Sequence, residues 1–369
     1  MMKQSTWILY AFLLGLASCS KEMSKDLPLT KLREEAVFIT TESGDFISYD
    51  IKTGRKRWAL VTTGASNGIP VFHNKMIYVV TTQRYMYTID PLRGEITRET
   101  QIAAKNDENS LCAYGSTIFF ASDSLYCYDT LHNKLWTFKE AGKNAFRTSP
   151  QYANDHVYFS ADDVMYCVSS NGSLIWKFTA GGLIQSSPRI TNGVVYFGCD
   201  DHKVYALQES NGNLKWTYLT GNNVNSSPAV YGGMCLVGSD DYHVYCIDTT
   251  TGLERWKFKT NERVISSPGI HEFTTSVIVG GNDYNLYAID HVTGELKWKY
   301  PAGSIVTSSP MVYGNYIFFT SYDRYLYAVD ARDGRILWKE FLNTNSLSAP
   351  FVDDTKKGLH PGKSGMSTY

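Results

Sequence analysis

Seven tryptophans are spaced almost evenly along this chain: Trp58, Trp136, Trp176, Trp216, Trp256, Trp298 and Trp338. The gaps between them are 78, 40, 40, 40, 42 and 40, and 78 is two periods with one marker skipped near Arg98. Prolines Pro70, Pro150, Pro188, Pro228, Pro268, Pro310 and Pro350 follow the same period, and the missing one would fall between Ser110 and Ala113. Both markers count eight units of about 40 residues, a period of propellers, solenoids and helical arrays. Single cores stop growing at about 250–300 residues. A repeat array escapes that limit, so 369 residues need not mean several domains.

One unit, Ser226 to Phe258, reads "SSPAVYGGMCLVGSDDYHVYCIDTTTGLERWKF". Its apolar or alternating runs, "SSPAV", "MCLVG", "HVYCID" and "ERWKF", are short and separated by Gly, Asp and Thr turns. That is a strand pattern without helical period. Four antiparallel strands in about 40 residues make one propeller blade. The proline opens the first strand, where a missing N–H is tolerated. Twenty-six tyrosines agree with a strand-rich chain. The phase then tells how the ring closes. "AVFIT" at Ala36–Thr40 matches a second strand, and "NSLSAPFV" at Asn345–Val352 matches a first strand. We expect an all-β, eight-bladed β-propeller over residues 36–352, its closing blade shared by the N- and C-terminal strands, followed by a polar tail over 353–369. Closure hides the sheet edges an open array would expose.

The N-terminus has a different character. Lys3 precedes an apolar run from Trp7 to Leu16. That run is too short to span a bilayer but suits a signal sequence. It ends in Leu16-Ala17-Ser18-Cys19, which resembles the lipobox of bacterial lipoproteins. The resemblance implies a signal peptide over 1–18 and a lipidated Cys19. A polar tether over 19–35 then leads to the propeller. The alternative is an ordinary secretory signal with a chance cysteine. A net charge of −1, from 35 basic and 36 acidic residues, argues against nucleic acid as a partner.

Four units share the pattern Asp, three residues, Gly, three residues, Trp: Asp50-Gly54-Trp58, Asp248-Gly252-Trp256, Asp290-Gly294-Trp298 and Asp330-Gly334-Trp338. Gln208-Gly212-Trp216 keeps the spacing, Asp90-Gly94-Arg98 loses the tryptophan, and the units ending at Trp136 and Trp176 have a turn one residue shorter. This resembles the tryptophan-docking motif of the pyrroloquinoline quinone (PQQ)-type β-propellers, in which each tryptophan packs between neighbouring blades. One branch of that family is dehydrogenases holding PQQ and calcium. Another is the lipoproteins of the BamB type, cofactor-free scaffolds beside the BamA-type barrel insertase of the outer membrane.

The residues favour the second branch. By resemblance, a PQQ enzyme carries insertions with an aromatic floor, a vicinal cysteine pair and Glu/Asn/Asp calcium ligands. Here the units keep their short period throughout, no two cysteines are adjacent, and every tryptophan after the signal sits at the blade position. We therefore expect no enzymatic activity, cofactor or metal. Cys127, Cys167 and Cys246 share one repeat position with Thr88, Ala206, Ala288 and Ala328, as small apolar fillers. If the Asp240-Asp241 turn has two residues, Cys235 and Cys246 face each other across a hairpin. A disulfide there stays open, because its geometry is demanding.

Turns between the second and third strands are acidic: Asp162-Asp163, Asp200-Asp201, Asp240-Asp241, Asn282-Asp283 and Asp323. Asp and Asn favour tight turns by bonding their own backbone. These turns share a face with the loops that lead into each first strand. That face carries the candidate partner residues Arg147, Gln185, Asn223, Asn225 and Arg263. Mixed charge on rigid loops suits protein binding. In the BamB type the contacts to BamA come from such loops. The paired serines before the prolines are expected to bond backbone or neighbouring blades around the channel. The sequence thus points to a monomeric, lipid-anchored protein scaffold of the cell envelope, on the outer membrane facing the periplasm. The alternative is a propeller lipoprotein that binds a glycan or other small ligand.

Overall fold

The computed structural model describes residues 35–66, 68–103, 111–143, 146, 148–346 and 348–352. The signal peptide, Cys19, the tether up to residue 34, the polar tail and Arg147 lie outside the described residues. Eight four-stranded antiparallel sheets follow one another, and we number them as blades by position in the chain. Blades 1 to 7 occupy 71–101, 111–138, 151–179, 189–219, 229–259, 269–301 and 311–341. Blade 8 takes its outer three strands from 36–61 and its inner strand from Phe351–Val352. There Val37 pairs with Val352 and Phe38 with Phe351, the closure expected from the phase of the repeat. The Phe38 and Phe351 rings stack with centroids 5.2 Å apart.

Burial explains the composition of each strand. Second strands such as Met234–Gly238 are buried on both faces and read as continuous apolar runs. Outer strands such as Glu254–Lys259 are open to solvent along one edge, and only Trp256 at their centre is buried. Cores form between blades. Leu236, Val244 and Cys246 of blade 5 pack with Val277, Val279 and Ile289 of blade 6. Burying one such side chain stabilises by about 1.5–3 kcal/mol, so each seam holds its two blades by the hydrophobic effect.

The hairpin in blade 5 corrects one expectation. Its register pairs Leu236 with Cys246 and Cys235 with Ile247. Ser239 N–H donates to the His243 carbonyl, so three residues turn the chain, with Tyr242 at φ 72°. One added turn residue moves every partner to the other face. Cys235 and Cys246 therefore point into different blade seams, and both are free thiols. Cys127, Cys167 and Cys246 each stand opposite a tryptophan: Trp136, Trp176 and Trp256. The indole beside them leaves room only for a small side chain. Burial pushes these three thiols up to about 12, which makes them poor nucleophiles.

Candidate partner face and channel

Each outer hairpin is built to hold a tryptophan. A bulge shifts the register just before it, for example between Ala206 and Leu207 opposite Trp216. The indole then reaches the next blade. Trp58 Nε1 donates to the Pro91 carbonyl at 2.9 Å, Trp176 to Glu209 at 2.7 Å, Trp216 to Thr249 at 3.0 Å and Trp338 to Ile51 at 2.9 Å. Trp136, Trp256 and Trp298 do the same with Ser170, His291 and Ala331. The ring lies flat on the turn glycine of that blade. A Cβ on Gly94 would stand 2.5 Å from Trp58 Cδ2, and Gly94 has φ +65°, so only glycine fits. The motif aspartate shapes the same turn. Asp248 Oδ1 accepts the Thr250 and Thr251 N–H groups, while Oδ2 pairs with Arg255, the bulged residue. Those bonds, the one from Arg255 foremost, hold its carboxyl far below the usual range.

The seam between blades 1 and 2 lacks both markers and repairs itself with a different residue. Arg98 replaces the tryptophan, and His132, at φ 65°, stands in the turn of blade 2. The His132 ring is buried, with Nε2 2.7 Å from Thr88 Oγ1 and Nδ1 3.0 Å from Thr100 Oγ1. Burial first, then nearby Arg98, lowers its pKa to about 4.

The acidic turns separate into two roles. Asp241 Oδ2 accepts the Tyr245 hydroxyl at 2.6 Å and the Gly221 N–H at 2.6 Å. Asp201, Asp283 and Asp323 take Tyr205, Tyr287 and Tyr327 in the same way, each at 2.5 Å. Asp241, Asp283 and Asp323 latch each turn to the start of the loop that enters their own blade by accepting the Gly221, Asn261 and Gly303 N–H groups, whereas the Gly181 N–H donates to the Tyr205 hydroxyl. The residues before these aspartates lean toward the end of that loop. Gln185 donates to Asp200 at 2.8 Å and Asn225 to Asp240 at 3.3 Å. Burial and the neighbouring Asp200 and Asp241 push the Asp240 carboxyl up, against the pull of Arg263.

The structure sets Gln185, Asn223, Asn225 and Arg263 on the loop face of blades 4 to 6, and Gln185 and Arg263 are exposed. It adds residues the sequence reading missed. Leu183, Tyr242, Tyr284 and Tyr322 are exposed on the same loops and turns. For the tyrosines the signal was present in the repeat: tyrosine or arginine recurs beside the turn aspartate in "DDYH", "NDYN" and "YDRY". Exposed tyrosines with an arginine are the side chains that most often carry interface energy.

The serines before the prolines form a ladder around the channel. The first of each pair folds into its own blade: Ser226 Oγ accepts the Gly238 N–H at 2.7 Å and donates to its carbonyl at 3.1 Å. The second joins blades. Ser149, Ser187 and Ser227 N–H groups donate to Ser187, Ser227 and Ser267 Oγ at 2.9 Å each, and Ser267 N–H to Ser309 Oγ at 3.1 Å. They line a cavity of about 60 Å³, room for about two waters. Among the described residues, no aromatic ring lines it, and no three of His, Cys, Asp and Glu gather as metal ligands. This lining does not fit a quinone with calcium.

Comparison with known proteins agrees with this architecture. A family model described as "Outer membrane protein assembly factor BamB" matches residues 21–106, 121–256, 220–300 and 241–358. The crystal structure of BamB from Moraxella catarrhalis is similar, with a TM-score of 0.64 and 15% identity, over 76% of this chain and 89% of that one. So is the computationally designed Ika8 protein, with a TM-score of 0.68 and 14% identity, over 76% and 88%. No curated protein matches the chain. At such identities the structural likeness speaks for the fold alone, whereas the family match runs through every blade. The chain belongs to the PQQ-type β-propeller family described as outer membrane protein assembly factor BamB.

Proposed function

We propose that this protein is a non-enzymatic scaffold of the cell envelope, held on the outer membrane through a lipidated Cys19 and facing the periplasm. It serves the assembly of outer-membrane β-barrel proteins, with a BamA-type insertase as its partner. The reading rests on one observation above all. The loop face of blades 4 to 6 presents exposed Leu183, Tyr242 and Tyr284 beside Gln185 and Arg263 on rigid loops. Family membership and the lipobox support the pathway and the anchor. Arg147 belongs to the same face by its place in the repeat. Binding there needs no moving part, because the latches from Asp241 and Asp283 hold the loops in place. A scaffold of this kind works as a monomer.

The test is recovery of partners from detergent-solubilised envelope. The wild-type chain should retain a barrel-assembly component. The double variant Leu183→Ala, Arg263→Ala should lose at least fivefold of it with an unchanged melting temperature, as surface substitutions are near-neutral for stability. Recovery of no barrel-assembly component by the wild type would sink the proposal.

A further inference from the structure

The face opposite the loops carries the turns between third and fourth strands. The residue two places after the motif aspartate, or after its counterpart, tips each of these turns and is exposed in every blade. In blades 6, 7, 8, 1 and 2, neighbours around the ring, it is Val292, Arg332, Lys52, Leu92 and Leu131. In blades 3, 4 and 5 it is Asn171, Ser210 and Thr250. Apolar and basic tips thus gather on one side of the ring. The first hairpin of blade 6 adds to them. Four residues, 272–275, join its strands, where Gly232 and Gly233 suffice in blade 5. This extension accounts for the wider gap between Trp256 and Trp298. Phe273 stands on it, 90% exposed, and Val292 in the next turn of that blade is 68% exposed. The His291 N–H donates to the Thr275 carbonyl at 3.0 Å, which sets the two turns side by side.

The N-terminal segment enters the propeller on this same face. Ala36 pairs with Asp50 at the foot of blade 8, and the Glu35 carbonyl accepts Arg57 Nη2 at 2.9 Å. From Cys19 to Glu35 the chain reaches at most about 55 Å when fully extended. Blades 7, 8 and 1 surround that entry and present exposed Arg332, Arg335, Lys52, Arg55, Lys75 and Arg93 on their turns. Among the described residues of those turns, Asp333 is the one exposed acid. Asp50 pairs with Arg57, and Asp330, itself buried, pairs with Arg332. Binding at a membrane interface scales with the apolar area buried there and with attraction to anionic lipid. Lys and Arg suit that layer because their stems lie along apolar surface while their charges reach water or phosphate.

We propose that this face seats on the anionic surface of a bilayer through blades 6, 7, 8, 1 and 2. Phe273 and Val292 enter the headgroup layer, and the cations around the chain entry meet lipid phosphates. The seating rests on the lipidated Cys19 of the function proposed above. That anchor holds the face at high local concentration beside the bilayer, so weak contacts suffice. The loop face then points away from the membrane, open to a protein partner.

The test uses the mature chain from residue 19 with Cys19→Ser, so that no lipid is attached. At physiological salt it should sediment with vesicles of phosphatidylethanolamine and phosphatidylglycerol, and at least fivefold less with phosphatidylcholine alone. Phe273→Ser with Val292→Ser should lower binding at least fivefold, and Lys52→Gln with Arg55→Gln at least twofold. All four positions are exposed, so melting temperatures should stay unchanged. Leu183→Ala with Arg263→Ala, on the loop face, should bind as the wild type does. No sedimentation of the wild type with anionic vesicles, or unaltered binding by the Phe273 and Val292 variant, overturns the proposal. An equal loss in the loop-face variant overturns it too. Acylation of Cys19 is read separately, from the mass of the protein extracted from the envelope. A missing anchor and a face that ignores lipid are thereby told apart.

Discussion

The indole of Trp338 donates to the Ile51 carbonyl at 2.9 Å and so joins residues 287 apart in the chain. Ring closure thus uses the same fastener as the internal seams, although here it bridges the two ends. Trp338→Ala should cost about 3–5 kcal/mol, the usual range for a buried tryptophan truncated to alanine. Trp338→Phe keeps much of the packing, loses the bond to Ile51, and should cost less. Urea denaturation of both variants checks this. A cost below about 1 kcal/mol for Trp338→Ala, no more than an average substitution, would mean that the seam is held elsewhere.

Gly94 and Gly115 separate backbone strain from steric conflict. Both have positive φ, +65° and +60°, but a Cβ would meet Trp58 at 2.5 Å in one case and nothing within 4 Å in the other. Gly115→Ala should cost about 1 kcal/mol, for the left-handed backbone alone. Gly94→Ala should cost more, on the order of 3 kcal/mol, because the indole of the blade before it must move. Equal melting temperatures for the two variants would contradict the docking geometry.

His132 makes the blade 1–2 seam sensitive to acid. Its folded pKa of about 4 lies below the ordinary histidine value of 6.5. Between those values the unfolded chain binds a proton that the folded chain does not. Stability is therefore unaffected above pH 6.5 and falls as pH drops from there toward 4, by about 1.4 kcal/mol per unit at most. His132→Asn keeps a side chain that tolerates positive φ and removes the titration. From pH 7 to 4.5 the wild type should lose about 2 kcal/mol more stability than this variant. Denaturation at matched salt measures the difference, and parallel pH profiles would contradict the assignment.

The paired aspartates should respond differently to truncation. Asp241→Ala leaves the Tyr245 hydroxyl and the Gly221 N–H without their acceptor, for an expected loss of about 1–3 kcal/mol. Asp240→Ala removes a long bond from Asn225 and a carboxyl whose pKa is already raised. It should be close to neutral. Thermal melts at pH 7 distinguish them, and a neutral Asp241→Ala would remove the latch.

The propeller was legible because its constraint repeats. Trp176, Trp216 and Trp256 each need a glycine in the next turn and a small residue across the strand, and the chain states this in register. What could not be read was local. The Asp240 hairpin holds three turn residues because Tyr242 adopts positive φ, and nothing in its side chain announces that. His132 sits where a glycine is expected, so its place in the seam emerges only when Arg98 is seen beside it in space. The partner residues were legible only in part. Gln185 and Arg263 are visible as polar loop residues, while Leu183 looks like core until its exposure is known.

Blade 8 also carries a schedule. Its strand Ala36–Thr40 is the first part of the propeller to be synthesised, and the strand that covers it, Phe351–Val352, is the last. Some 310 residues, from 41 to 350, are made in between. At about 5–20 residues per second, that edge waits roughly 15–60 s for its partner. Through that interval a row of unpaired N–H and C=O groups stays open to any other strand. The ring becomes whole only once Phe351–Val352 has been made.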